Sequence, residues 1–159
     1  MIRLSNSITI NRPLEEVFAY VCDQRNNPNW NYFIIKVEKL NEKEGGGATY
    51  LQTRKTDQQQ VKIADLVQNE RCVVETLPGQ KPKVRREMEF FGDAKSTTIK
   101  DQLDLLLPIP KFLSKWLGRR PSNAVHENLN KLKELLERGH VVLQDGRKLF
   151  CNNLLMLLI

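Results

Sequence analysis

The sequence predicts an α+β domain: a curved seven-stranded antiparallel sheet wrapped around one long C-terminal helix, with two short helices between the first and second strands. Three observations carry this. Residues 2–10 alternate, with Ile2, Leu4, Ile8 and Ile10 on one side, as a half-buried strand requires. Residues 32–107 then hold six strand-like runs separated by short turn signals, the pattern of an antiparallel meander. Residues 122–138 instead space Val125, Leu129, Leu132 and Leu136 along one helical stripe. A sheet with one apolar face needs a cover, and only that last helix is long enough to supply it.

The elements follow in order. Asn11-Arg12-Pro13 breaks the first strand, and "PLEEVFAYVCD" begins a short helix: Pro13 suits a first turn, Glu15 and Glu16 sit near the positive helix end, and Leu14, Val17, Phe18 and Val21 share a face. "QRNNPNWN" predicts a turn or second short helix carrying Trp30. "YFIIKVEKLN" ends at the Gly45-Gly46-Gly47 loop; "ATYLQTRKT" and "QVKIADLV" follow, with a tight turn at Asn69-Glu70. "CVVETL" ends at Pro78-Gly79, "KVRREMEFF" at Gly92-Asp93, and "STTIKDQLDLLL" at Pro108. Pro121 interrupts the pattern before the last helix, and Gly139 stands where a C-terminal glycine cap belongs. The domain is thus expected over residues 1–138, and residues 139–159 form a C-terminal extension in which Asp145-Gly146 could turn a small hairpin.

Composition narrows the partners. At 159 residues the chain is one domain with room for a real core. A net charge of +6 permits a nucleic-acid or anionic-lipid partner without demanding one. No nucleic-acid reader motif appears, and aromatics are not interleaved with the Lys/Arg clusters, so nucleic acid is not expected. Cys22, Cys72 and Cys151 lie far apart with no Cys/His ligand spacing, so neither a disulfide framework nor a metal site is expected, and no cofactor. The opening residues lack a signal peptide's apolar run, "LLMLLI" is too short to span a bilayer, and a cytoplasmic location is the expectation.

The sharpest chemical feature is charge on apolar strand faces. Arg86 shares a face with Val84, Met88 and Phe90, and Asp101 interrupts the face of Ile99, Leu103 and Leu105. A hairpin loop at 92–95 pairs Phe91 with Ser96 and sets Arg86 opposite Asp101; a two-residue loop shifts the pairing and keeps both on the same face. Asp65, between Ile63 and Val67, is expected on the apolar face as well. Buried charges must pair or face a wet cavity. Two outcomes satisfy that demand: a salt bridge that fixes register, or a polar patch facing a ligand. Tyr50 and Arg54 are candidates for the same inner face.

The other reactive residues are quieter. His126 lies toward the edge of the helical stripe, His140 follows the glycine cap, and neither has a Ser or Cys in motif context. Cys22 fits a small buried residue better than a nucleophile. No catalytic residue is assigned.

"ITINRPLEEVFAYVCDQRNNPNWN" resembles the opening of polyketide cyclase/dehydrase-like members of the START-related (SRPBCC) superfamily, through Pro13, Glu16-Val17-Phe18 and Trp30 before the second strand. "TTIKDQLDL" and "NLNKLKELLE" also match, so the resemblance covers residues 1–138. It implies the helix-grip fold and a groove between sheet and last helix for hydrophobic or amphipathic small molecules. Such a fold does not fix a function.

The expected function is therefore binding of a lipid-, quinone- or polyketide-like molecule by Trp30, Asp65, Arg86, Met88, Phe90, Asp101, Phe112 and Trp116. The alternatives are a cyclase or dehydratase, using Asp101, Asp65 or His126 as acid or base, and a peripheral lipid-binding protein at a membrane surface. The last rests on "PIPKFLSKWLGRR", where Phe112, Leu113, Trp116 and Leu117 are flanked by Lys111, Lys115 and Arg119. The same segment fits a lid turned inward over the cavity. Oligomeric state is left open, a dimer included.

Overall fold

The computed structural model describes residues 1–107 and 119–151, the side chains of residues 119 and 120 excepted. Phe112 and Trp116, and with them the choice between lid and membrane foot, lie outside the described residues. The chain runs β1 (Ile2–Ile10), α1 (Leu14–Cys22), a 3-10 helix (Gln24–Asn29), β2 (Ile34–Lys39), β3 (Thr49–Arg54), β4 (Gln58–Val67), β5 (Arg71–Thr76), β6 (Lys83–Gly92), β7 (Thr97–Leu106), α2 (Arg119–Arg138), β8 (His140–Val142) and β9 (Lys148–Phe150). The seven long strands form one antiparallel sheet in the order β1-β7-β6-β5-β4-β3-β2, and β8 and β9 form a separate hairpin.

Each element buries the face its periodicity dictates. In β1, residues 2, 4, 8 and 10 are buried and 3, 5, 7 and 9 exposed. In α1, Val17, Phe18 and Val21 pack inward, and Phe18 meets Phe90 edge to face at 5.1 Å between centroids. From α2, Leu129, Leu132, Leu135 and Leu136 enter the same core. The helix takes in Pro121, which the pattern places before it; a fixed φ near the helical value makes proline tolerable in a first turn. At the other end Gly139, with φ 82°, donates its N–H to the Leu135 carbonyl at 2.8 Å, the left-handed cap expected there.

Two registers depart from the simple alternation, and both bear on the site. The β6–β7 loop is residues 93–96, one residue later than expected, because the Asp93 carboxylate caps the N–H groups of Lys95 and Ser96 and closes the turn there. Gly92 pairs with Thr97, and a β-carbon at Gly92 would lie 2.2 Å from the Ser96 carbonyl oxygen, so the loop demands glycine. Arg86 consequently stands opposite Leu103, and Asp101 opposite Met88. In β4 a bulge between Ile63 and Asp65 inserts one residue and reverses the faces beyond it. Leu66 turns inward opposite Cys72, and Asp65 turns outward to pair with Arg71 on the opposite face.

The core continues past residue 138. Val141, Leu143 and Cys151 are buried in the same cluster as the α2 leucines, and Leu149 packs against it. Lys55 binds Asp145 at 3.1 Å, and an Arg147 nitrogen donates to the Tyr32 carbonyl at 3.2 Å, tying the β8–β9 hairpin to the loops flanking β2 and β3. No described helix is long and apolar enough to cross a membrane.

Candidate functional site

A cavity of about 230 Å³ opens where the inner face of β3–β7 meets the 3-10 helix and α2. Its aliphatic wall is Val74, Val84, Met88, Leu103 and Leu105 from β5, β6 and β7, with Val125 of α2, Val61 of β4 and Ile34 of β2 beside them. The polar wall is built of amides: Gln24 and Asn27 from the 3-10 helix, Asn31 after it, Gln52 from β3, Gln59 from β4 and Asn128 from α2. Arg54, Glu75 and Arg86 supply its charged lining.

Every one of those charges is already matched. Arg86 grips Asp101 through Nε at 2.8 Å and Nη2 at 2.6 Å, a bidentate pair whose carboxylate is fully buried while the arginine keeps 16% exposure. The pair forms diagonally across β6 and β7, so the two-residue displacement in register leaves it within reach. Burial works against the Arg86 charge, but attraction and hydrogen bonding from Asp101 outweigh it and hold the pKa above the ordinary arginine value. The guanidinium also lies 5.4 Å from the Trp30 ring centroid. Arg54 is clamped by Asp57 through two 2.6 Å bonds, and Glu75 meets Lys62 at 3.1 Å.

The amides differ in how far they are satisfied. Asn27 donates to the Gln24 side chain at 2.9 Å, Asn128 donates to the Asn31 side chain at 3.1 Å, and Gln59 donates to the Pro82 carbonyl at 2.9 Å. Gln52, opposite Gln59 in register, is only 7% exposed, and its amide has no hydrogen-bond partner among the described residues.

Of the residues singled out by sequence, the structure brings Arg86 and Met88 to the cavity wall and Asp101 directly behind Arg86. Trp30 is fully buried in the core behind the guanidinium and outside the cavity lining, and Phe90 packs deeper, on Phe18. Asp65 is corrected outright: the β4 bulge carries it away from Arg86 to the outer face. Tyr50 is buried in the core and Arg54 reaches the cavity, so both do face inward. His126 is exposed on α2. Cys22 and Cys72 are buried free thiols that hydrogen-bond each other; that bond first, and burial second, push the Cys22 thiol up, while the same bond and Arg86 draw Cys72 down. Among the described residues no three His, Cys, Asp or Glu side chains gather as metal ligands would.

Sequence reasoning missed Gln52 and Asn6. Gln52 lies between Tyr50 and Arg54 on one strand face, so the inward assignment of those two already implied it; its polar character concealed it. Asn6 fills the gap left by Ile2, Leu4, Ile8 and Ile10, stands opposite Asp101, and buries an Nδ2 without a partner among the described residues.

No protein-family model and no curated protein matches this sequence. Solved structures match the fold. A Deinococcus radiodurans protein superposes with a TM-score of 0.66 at 18% identity, over 87% of this chain and 99% of its own. The di-domain ARO/CYC protein BexL from the BE-7585A biosynthetic pathway gives a TM-score of 0.70 at 14% identity, over 86% of this chain and 47% of that one. A START superfamily protein from Mycobacterium smegmatis gives 0.59 at 17% identity, over 86% and 94%. With the seven-stranded sheet, the paired short helices and the long C-terminal helix, these matches show that the chain has the helix-grip fold, shared with a START superfamily protein and a polyketide ARO/CYC protein.

Proposed function

We propose that this protein binds a small amphipathic molecule in the cavity between sheet and C-terminal helix. The observation that carries the reading is the division of the cavity into an aliphatic wall on β5–β7 and an amide wall on the 3-10 helix, β3, β4 and α2. Apolar surface supplies affinity, and a few fixed polar groups supply orientation. At about 230 Å³ the described space is smaller than the roughly 300–1,000 Å³ of drug-sized sites, so it suits a compact ring system or the end of a longer chain.

The cyclase alternative gains no specific support. Asp101 is buried behind Arg86, Asp65 is on the outer face, His126 is exposed, and Glu75 is held by Lys62. A general acid or base needs hydrogen-bond reach to the reacting atom, and none of these offers a free group to the cavity. Binding is tested by incubating the purified protein with lipid, quinone and aromatic extracts, followed by native mass spectrometry. A stoichiometric adduct is the expected result. Protein that emerges only at its bare mass from all three extracts would overturn the reading.

A further inference from the structure

Building on the binding function proposed above, we infer that the cavity selects an uncharged ligand bearing a carbonyl or hydroxyl oxygen that hydrogen-bonds the Gln52 amide, and rejects carboxylates and phosphates. The first support is the charge balance. Arg86, Arg54 and Glu75 line the cavity, and each already has its counter-ion in Asp101, Asp57 and Lys62. Among the described residues an incoming anion finds no unmatched lining cation; to reach Arg86 it must lie near the buried Asp101 carboxylate, adding a second negative charge to a desolvated site.

The second support is independent. Gln52 is more than nine-tenths buried, lines the cavity, and carries an amide without a partner among the described residues. The amide opens onto the cavity rather than onto a protein partner, and a polar group so placed marks where a ligand's own polar atom belongs. A hydrogen bond from the amide stabilises a ketone, quinone or hydroxyl oxygen without asking for charge. The aliphatic wall of Val74, Val84, Leu103 and Leu105 takes the ligand's apolar body.

Three probes with one ring skeleton test this: naphthalene, naphthyl methyl ketone and naphthoate, titrated at neutral pH into the intact protein and into Gln52→Leu. The ketone should bind about tenfold or more tightly than naphthoate. Its advantage over naphthalene should shrink by about fivefold in Gln52→Leu, which removes no internal hydrogen bond. Naphthoate binding as tightly as the ketone, or a ketone preference unchanged in Gln52→Leu, would overturn the inference while leaving cavity binding intact. If none of the three binds to the intact protein, cavity binding falls with it.

Discussion

Arg86 and Asp101 place the strictest single-site demand on this fold. With the Asp101 side chain fully buried, removing its partner leaves an uncompensated charge inside the protein. Arg86→Leu is expected to cost about 3–5 kcal/mol of stability, whereas Arg86→Leu/Asp101→Leu should recover most of it, since an apolar pair of similar volume avoids both desolvation penalties. Chemical denaturation of the three proteins measures this directly; a double variant as unstable as the single one would show that the pair is needed for more than charge balance. At the surface, Asp145 is the clearest acid-sensitive group. Burial raises its pKa, but the Arg147 N–H, Lys55 and the Arg147 side chain outweigh that and bring it down to about 2. A carboxylate with a depressed folded pKa stabilises the fold above its unfolded pKa, near 4, and that stabilisation drains away as pH falls toward about 2. Asp145→Asn should therefore melt below the parent at neutral pH, with the gap closing across that acidic window. Melting curves at several pH values check it, and a gap independent of pH would contradict the assignment.

At the scale of elements, the β8–β9 hairpin is part of the domain. Leu143 is 3% exposed in the shared core, so Leu143→Ala should cost about 2–5 kcal/mol, the range of a core leucine truncation. A loosely attached appendix would show almost no change in the denaturation midpoint. The Asp145-Gly146 turn was legible in the sequence; the docking was not, because a three-residue strand carries no usable periodicity and its burial depends on surfaces far away in the chain. The same division explains the sheet. Strand faces followed from alternation wherever a strand was regular. Asp65 was misplaced because a bulge at its strand leaves no mark in the alternation itself: both Ile63-Asp65-Val67 and Ile63-Leu66 are plausible inner faces, and pairing with β5 decides between them. The β6–β7 register slipped because Asp93 caps the turn one residue later than Gly92 alone implied. Arg86 and Asp101 still met because a two-residue displacement preserves the face.

For the whole molecule, the order of elements and the covering role of the last helix were legible because they rest on long, strongly periodic segments. The cavity's chemistry was legible only in part. Arg86 and Met88 stood out as a charge and a large side chain on an apolar face, whereas the amide wall draws on the 3-10 helix, β3, β4 and α2, which approach one another only in the folded chain. Polar amides spread across such distances look like ordinary surface residues in a sequence. Their gathering in one place, opposite an aliphatic wall and with every described lining charge matched, is what the proposed binding function rests on. The most direct test is a side-by-side titration of the naphthyl ketone into the parent protein and into Val84→Trp, which fills the cavity from the aliphatic wall, with both proteins shown folded by circular dichroism. Saturable one-to-one binding to the parent and its loss in Val84→Trp is the predicted result. Equal binding to both proteins would place the ligand elsewhere and contradict the cavity's role.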